Sequence, residues 1–454
     1  MRQVSQAGVT RVAPARIAPA RVTPARAGAG PVGAGPVGAG PLAAEPTRWP
    51  DVANVPRSPA RTAIARAVFA RAIAKLQVRV LLPSGRCTGG GGPGTPEMVL
   101  YRPDDFFARI GAGGLIGFGE SYMAGDWDCT DLTGLLTVFA SQLATLVPPP
   151  LQRLRRLAVR RHPPTEDASE DGARDNIHRH YDLSNELFAL FLDETMTYSA
   201  GLFETGAAGT PVAQAELLAA AQRRKIDRLL DLTRVGPSSR VLEIGTGWGE
   251  LAIRAAARGA TVRTVTLSEQ QRVLAARRVA DAGLADRVSV ELRDYRRVDG
   301  EYDAILSVEM IEAVGERYWP AYFTALDRLL APGGRIGLQT ITMQHERMLA
   351  TRHTYTWILK YIFPGGIIPS VTSIEDSLAR FTGLRVAGRY DFGADYARTL
   401  RIWREQFCAR REDVHDLGFD EVFHRMWLLY LCYSEAGFQS SYLDVCQLLL
   451  VRDS

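Results

Sequence analysis

The sequence predicts an α/β chain in which a doubly wound, mostly parallel sheet follows a small α+β N-terminal domain. Strand-like and helix-like segments alternate from about residue 176 onward, as parallel strands joined by crossover helices require. A glycine-rich turn stands between the first of those strands and its helix. The composition also changes near residue 57 and again across a polar stretch at 163–175, dividing the 454 residues into separate units.

The first 56 residues read as a tail. Its opening pentads, RVAPA, RIAPA, RVTPA and then GAGPV, GAGPV, GAGPL, leave little side chain to bury. Five arginines (Arg2, Arg11, Arg16, Arg21, Arg26) precede the first acid, Glu45. Removing these five from the 54 basic residues leaves 49 against 50 acids, so the body is near neutral and no nucleic-acid partner is expected. Hydrophobic residues at 46% and charged ones at 23% exclude disorder for most of the chain.

Residues 57–162 read as a small N-terminal, lipid-associated domain. Ile64, Val68 and Ile73 recur at helical spacing in 61–76, and strand-like VRVLLP (78–83) and MVLY (98–101) flank a glycine turn at 89–94. The uncharged stretch 132–152 reads as a buried helix, since Thr, Ser, Gln and three prolines interrupt it. LQRLRRLAVRRH (151–162) is a basic amphipathic helix suited to an anionic surface or to packing on its own domain. Residues 163–175 form the linker, and 176–454 the main domain. The five cysteines show neither CxxC nor metal spacing, so they read as reduced, buried thiols of a cytoplasmic protein, with no metal site.

In the main domain, strands are expected at 240–245, 261–267, 288–292, 302–308 and 335–341. The first delivers Val241-Leu242-Glu243-Ile244-Gly245-Thr246-Gly247-Trp248-Gly249. Glycine lets a nucleoside approach the backbone where a side chain would collide. The spacing is GxGxG, not GxGxxG, and Glu243 at the strand end can receive a ligand's ammonium group. That combination suits S-adenosylmethionine better than a nicotinamide dinucleotide.

Six further segments sharpen this. HYDLSNELFALFLDETMTYSAGLFE (180–204), AAQRRKIDRLLDL (220–232), TLSEQQ (266–271), DYRRVDGEYDAILSVEMIEAVG (294–315), YIFPGGIIPS (361–370) and FGADYARTLRIWREQF (392–407) together resemble the cyclopropane-fatty-acyl-phospholipid synthase family. Within that family, EMIEAVGERYWPAYF and LQTITMQHERML look most like the actinobacterial branch making methylene- and methyl-branched, tuberculostearate-type fatty acids. The resemblance implies a class I methyltransferase fold with a seven-stranded sheet, and an insertion at about 342–395 covering the acyl site. It implies cofactor contacts from Tyr198, Ser199, Leu242, Glu243, Ile244, Gly245, Thr246, Gly247, Trp248, Gly249, Thr266, Leu267, Ser268, Gln271, Asp294 and Tyr295. Asp294 is placed for the adenine amine; Ser268 also reads as a helix N-cap.

Methylating an isolated alkene generates a carbocation, so the site must be dry and lined with aromatic faces or a carboxylate, and a base must then remove a proton. In the family a bicarbonate ion is that base. It is held by a Cys, a Glu, a His, an Ile main chain and a Tyr. Here the Cys position is Ala200 and the His position is Gln339, while Glu312, Ile341 and Tyr396 remain. The usual His after the Glu is Ala313, and a further Cys often marked in the C-terminal block is Ser434. These departures put the bicarbonate in question and make Glu312 a candidate for direct base, alongside Gln339, Ile341 and Tyr396. Tyr355, Trp357, Tyr361 and Phe363 read equally as acyl channel or core, and His178 and His180 as structural.

The expected activity is transfer of a methyl carbon from S-adenosylmethionine to a cis double bond of a phospholipid acyl chain, giving a methylene branch. Cyclopropanation is the direct alternative; a non-catalytic lipid- or nucleoside-binding protein and a dehydrogenase are the remoter ones. The partners expected are a phospholipid membrane surface presenting unsaturated acyl chains, a separate reductase, and a second copy of the chain in a homodimer.

Overall fold

The computed structural model describes residues 41–146, 184–204 and 211–452. The pentad repeats, the amphipathic segment 151–162, the linker 163–175, His178 and His180 lie outside the described residues, save the last few positions of the repeats.

The tail ends earlier than composition suggests, because a few apolar side chains in 41–56 suffice to dock it. The Leu42 amide donates to the Ala124 carbonyl at 3.0 Å. The Trp49 indole donates to Asp420 at 2.8 Å, and Val52, in the short helix α1 (Pro50–Ala53), is buried.

The N-terminal unit then runs α2 (Pro59–Ile73), β1 (Arg79–Leu81), β2 (Cys87–Thr88), β3 (Glu97–Leu100), α3 (Pro103–Gly113), α4 (Leu115–Met123), β4 (Trp127–Cys129) and α5 (Leu132–Leu146). Its sheet has the order β2-β1-β3-β4, with only the β1–β3 pair parallel. Helix α2 is rotated from the expected stripe. Ile64 is 61% exposed, whereas Ala65 and Ile73 are buried and Phe69 packs edge-on against Phe106 and Phe107. In an alanine-rich helix with two weak apolar faces, the face carrying the phenylalanine wins, because aromatic burial outweighs one isoleucine. Cys87 is exposed and Cys408 half-buried, so only three of the five thiols are buried as expected.

The main domain begins with α6 (Asn185–Phe191), capped by Ser184, and α7 (Pro211–Leu232). It continues β5 (Arg240–Ile244), α8 (Glu250–Ala257), β6 (Thr261–Thr266), α9 (Glu269–Asp281), β7 (Val288–Leu292), β8 (Tyr302–Val308), α10 (Trp319–Leu329) and β9 (Leu330–Thr342). The last part is α11 (His345–Thr351), α12 (Trp357–Tyr361), α13 (Val371–Phe381), β10 (Leu384–Asp391), α14 (Gly393–Ala409), α15 (Arg411–Asp416), α16 (Glu421–Gln439) and β11 (Asp444–Arg452). The seven strands have the order β10-β11-β9-β8-β5-β6-β7, all parallel except β11, which is antiparallel to both neighbours.

The region between 342 and 395 therefore divides differently from the expectation. Strand β10 belongs to the main sheet and α13 packs on α10, so the insertion proper is the stretch between Thr342 and Val371. Strand β10 sits at the sheet edge and buries little, so it reads as polar loop in sequence. Strand β11 is a continuous apolar run that periodicity alone does not separate from helix.

Two buried arginines tie the segments together. Arg109, 2% exposed, holds the docked tail to the N-terminal unit, donating to Asp126 at 3.0 Å and to the carbonyls of Asp51 and Val52. Arg425 on α16 donates to Asp128 at 3.0 Å and to the carbonyls of Tyr122 and Trp127. Among the described residues no helix is long and apolar enough to cross a membrane.

Candidate active site

Strand order reverses between β5 and β8, and in doubly wound sheets the ligand crevice lies at that switch, beyond the carboxyl ends of the strands. A cavity of about 180 Å³ lies there. Of the residues expected to touch the cofactor, Tyr198, Ser199, Glu243, Ile244, Gly245, Thr246, Gly247, Trp248, Thr266, Leu267, Gln271, Asp294 and Tyr295 line it.

Three others do not. Leu242 is wholly buried in the core. Gly249 opens α8, where a Cβ would press within 3.2 Å of Ala275 on α9. Ser268 caps α9, accepting from the Gln271 amide at 3.3 Å. These three shape the cradle from behind.

The turn itself is built for close approach. Gly247 has φ +51°, and a Cβ there would meet no protein atom within 4 Å. The Trp248 indole is tied to Asn185 at 2.7 Å, and the Thr266 hydroxyl donates to the Gln271 side-chain carbonyl at 2.8 Å. Asp294 already accepts from Arg296, at 2.9 Å from Nε and 2.6 Å from Nη2, so this acid meets a ligand as half of an ion pair. The Tyr198 hydroxyl lies 2.6 Å from that of Tyr430, and its ring stacks on Trp403.

One wall of the cavity is charged, and sequence reasoning missed most of it. Glu243 is 3% exposed; burial pushes its pKa up to about 8, against a Thr264 hydrogen bond and the Lys225 charge. Lys225, on α7, is wholly buried, and burial pulls it down to about 8 against the charges of Glu309, Asp193 and Glu243. Glu309 follows β8 with φ +48°, a left-handed conformation uncommon for a side chain of this size. Its Oε1 accepts from the Ala200 amide at 2.9 Å and from Gln339 Nε2 at 2.8 Å, and its Oε2 from the Tyr396 hydroxyl at 2.7 Å. Burial raises the Glu309 pKa, while Lys225 and these three donors lower it.

None of the four expected catalytic residues lines the cavity; they stand behind Glu309. Glu312 Oε1 accepts from the Ile341 amide at 2.5 Å and the Thr340 hydroxyl at 2.9 Å. Burial first, and the charge of Glu309 second, push Glu312 up to about 8. Two adjacent buried carboxylates do not both ionise readily, and the one with more donors and a nearby cation keeps the charge. That one is Glu309.

The contacts that the family resemblance assigns to bicarbonate are thus made within the protein. Ala200, Gln339 and Tyr396 hold Glu309, and Ile341 holds Glu312. The donors are spent on a resident carboxylate, and the set does not fit a free bicarbonate. Only the spacing of the pair, Glu309-Met310-Ile311-Glu312 at a strand end, signalled this in sequence.

The aromatic stretch serves as core and as a joint between the halves. Trp357 is 5% exposed, with its indole nitrogen 3.3 Å from the Met123 sulfur, and a Cβ at Gly119 would fall 2.3 Å from its ring. Tyr361 donates to Glu120 at 2.9 Å, and Phe363 meets Tyr430 edge-on. Tyr355 packs partly buried on the same cluster. Ser434, on α16, does not line the cavity.

Comparison with known proteins agrees with this geometry. Residues 168–448 match the mycolic acid cyclopropane synthetase family. The chain is 56% identical over 409 residues to the tuberculostearic acid methyltransferase UfaA1 of Mycobacterium tuberculosis, covering 89% of this chain and 96% of that one. It is 33% identical over 360 residues to the cyclopropane-fatty-acyl-phospholipid synthase of Escherichia coli K12, covering 79% and 88%. Among solved structures, the mycolic acid cyclopropane synthase CmaA1, complexed with SAH and CTAB, superposes with a TM-score of 0.55 at 30% identity, over 61% of this chain and 97% of that one. S-adenosylmethionine fits the cavity: Gly247 leaves room at the turn, and Glu243 Oε2 is buried without a hydrogen-bond partner among the described residues. The chain belongs to the mycolic acid cyclopropane synthetase family, and as such it is an S-adenosylmethionine-dependent methyltransferase.

Proposed function

We propose that the chain methylates the cis double bond of an unsaturated phospholipid acyl chain and yields a methylene-branched product, the precursor of a tuberculostearate-type chain. The observation that carries this reading is the Glu309 carboxylate, fixed by Ala200, Gln339 and Tyr396 where it lines the cavity.

Bound S-adenosylmethionine supplies an electrophilic methyl carbon, whose capture by the alkene leaves a positive charge on the neighbouring acyl carbon. Glu309 lines the cavity where that charge forms, and Lys225, Tyr396, Ala200 and Gln339 favour its ionised form against the effect of burial. A 1,2-hydride shift moves the charge onto the methylated carbon. Glu309 then takes a proton from the added methyl group, and the C–H electron pair becomes the exocyclic double bond. The proton returns to solvent and restores the carboxylate. A base tethered to β8 cannot follow the first-formed cation as a small free anion can, which gives the hydride shift time to precede proton loss. Glu312, protonated at neutral pH, acts as a support for the Ile341 end of β9.

The substrate's lipid nature makes the protein a peripheral visitor to a membrane surface, and a separate reductase would saturate the methylene. Cyclopropanation remains the second reading, favoured by the 33% identity to the Escherichia coli synthase. Proton NMR of lipid extracted from a host lacking such enzymes separates them. Vinylidene signals are expected; upfield cyclopropyl protons without them would overturn the product assignment.

A further inference from the structure

Strand β11 is apolar from Leu448 to Val451, yet it carries Gln447, 1% exposed, at a position paired directly with Gln339 on β9. A buried amide is unfavourable unless its donors and its acceptor are met, and here all are. Gln447 Nε2 donates to the Lys225 carbonyl at 3.1 Å and to Gln339 Oε1 at 3.0 Å, and its Oε1 accepts from Arg228 Nη1 at 2.7 Å. Two of these partners act one way only: a peptide carbonyl accepts and a guanidinium donates. They fix which end of the Gln447 amide is nitrogen. Gln339 must then turn its oxygen to Gln447, which leaves its Nε2 for Glu309 Oε1, 2.8 Å away. The reversed amide would set nitrogen against nitrogen and oxygen against carboxylate, losing two buried hydrogen bonds.

We infer that Arg228 and Gln447 are positioning residues for the base: through Gln339 they hold an N–H, rather than a lone pair, against Glu309. The chain of contacts starts near the sheet edge. Arg228 on α7 lies 4.2 Å over the ring of Tyr390 on β10, and no carboxylate of the described residues pairs with it. Its guanidinium polarises the amide it binds, and the two amide dipoles point the same way, towards Glu309. Lys225 from α7, Glu312 three residues on and Tyr396 from α14 also act on that carboxylate, and all three stay in place when the chain is broken. The inference rests on Glu309 being the base.

The test follows pH–kcat profiles of the full chain, read as release of S-adenosylhomocysteine with unsaturated lipid. A carboxylate that loses a donor is protonated at higher pH, so the acidic limb should rise. Gln447→Leu is expected to lower kcat about tenfold and move that limb up by about one pH unit, with the KM for S-adenosylmethionine within about twofold. Gln339→Leu should do as much, and the double variant no more, since both break one chain. Additive losses, or an unmoved limb, would mean that Gln447 only packs β11 against β9, and would overturn the inference. Should Gln447→Leu fail to fold, Arg228→Met at a half-buried position decides. Its limb should rise by about half a pH unit, and an unmoved limb overturns the inference. Glu309→Gln separates this outcome from failure of the base. If that variant keeps wild-type turnover, the base assignment falls and the inference with it. If turnover collapses, adding Gln447→Leu should cost less than about twofold more, and a further loss of about tenfold overturns the inference alone.

Discussion

The Tyr396 hydroxyl donates to the Glu309 carboxylate at 2.7 Å, joining a side chain from α14 to one at the end of β8. The tyrosine ring is in turn packed 4.5 Å from Phe438 on α16, so the carboxylate is steadied by the C-terminal helices as well as by its own strand. Its orientation is therefore a property of the whole main domain.

Glu309→Gln is expected to lower turnover by about 10²- to 10⁴-fold, the range for loss of a positioned base, with S-adenosylmethionine binding nearly unchanged. Glu312→Gln removes a group that is already protonated and should cost less than about tenfold. Release of S-adenosylhomocysteine with unsaturated lipid measures both. The reverse ranking would return the base to Glu312.

Tyr396→Phe removes a donor that favours the ionised form of Glu309, so the carboxylate pKa rises. Activity that needs ionised Glu309 is present above that pKa and fades as pH falls through it. The acidic limb of the pH–kcat profile should accordingly move to higher pH, with a modest fall in the plateau. A limb that stays in place would uncouple the tyrosine from the base.

Gly247→Val should abolish cofactor binding while lowering the melting temperature by only a few degrees, the cost of backbone strain. The new side chain meets no protein atom near its Cβ, but it enters the cavity and resists φ +51°. Calorimetry with S-adenosylhomocysteine provides the check.

Deleting residues 1–40 should leave the melting temperature within about 1 °C, whereas deleting 1–56 should lower it by about 5 °C or more. The longer deletion strips Trp49 from Asp420 and Val52 from the core. It also takes away the carbonyls of Asp51 and Val52 that satisfy the buried Arg109. Calorimetric melting of the two truncations decides the point.

The parallel strands and the glycine turn were legible because their patterns are local: an apolar run, then glycine, then a helical period. Strand β10 was hidden because an edge strand can be polar on nearly every residue, and Ile64 misled because alanines gave α2 a second face. Most of the cradle was readable, since the residues around Gly247 act through backbone and small side chains. Of the charged wall only Glu243 was, from its place just before the glycine turn. Lys225 and Glu309 come from α7 and the end of β8, and only folding brings them to the same cavity. Nothing in the sequence of Glu309 alone distinguishes it from Glu312 three residues on; the difference is which donors each one meets.

The Asp128–Arg425 contact spans 297 positions in the chain. At ribosomal rates of about 5–20 residues per second, the N-terminal unit emerges roughly 15–60 s before its arginine does. Through that interval Asp128 and the surface that will meet α16 stay uncovered, and an isolated 41–146 fragment carries the same open face permanently. Burial of that surface therefore waits on completion of the C-terminal helices, in whatever order the two units are made.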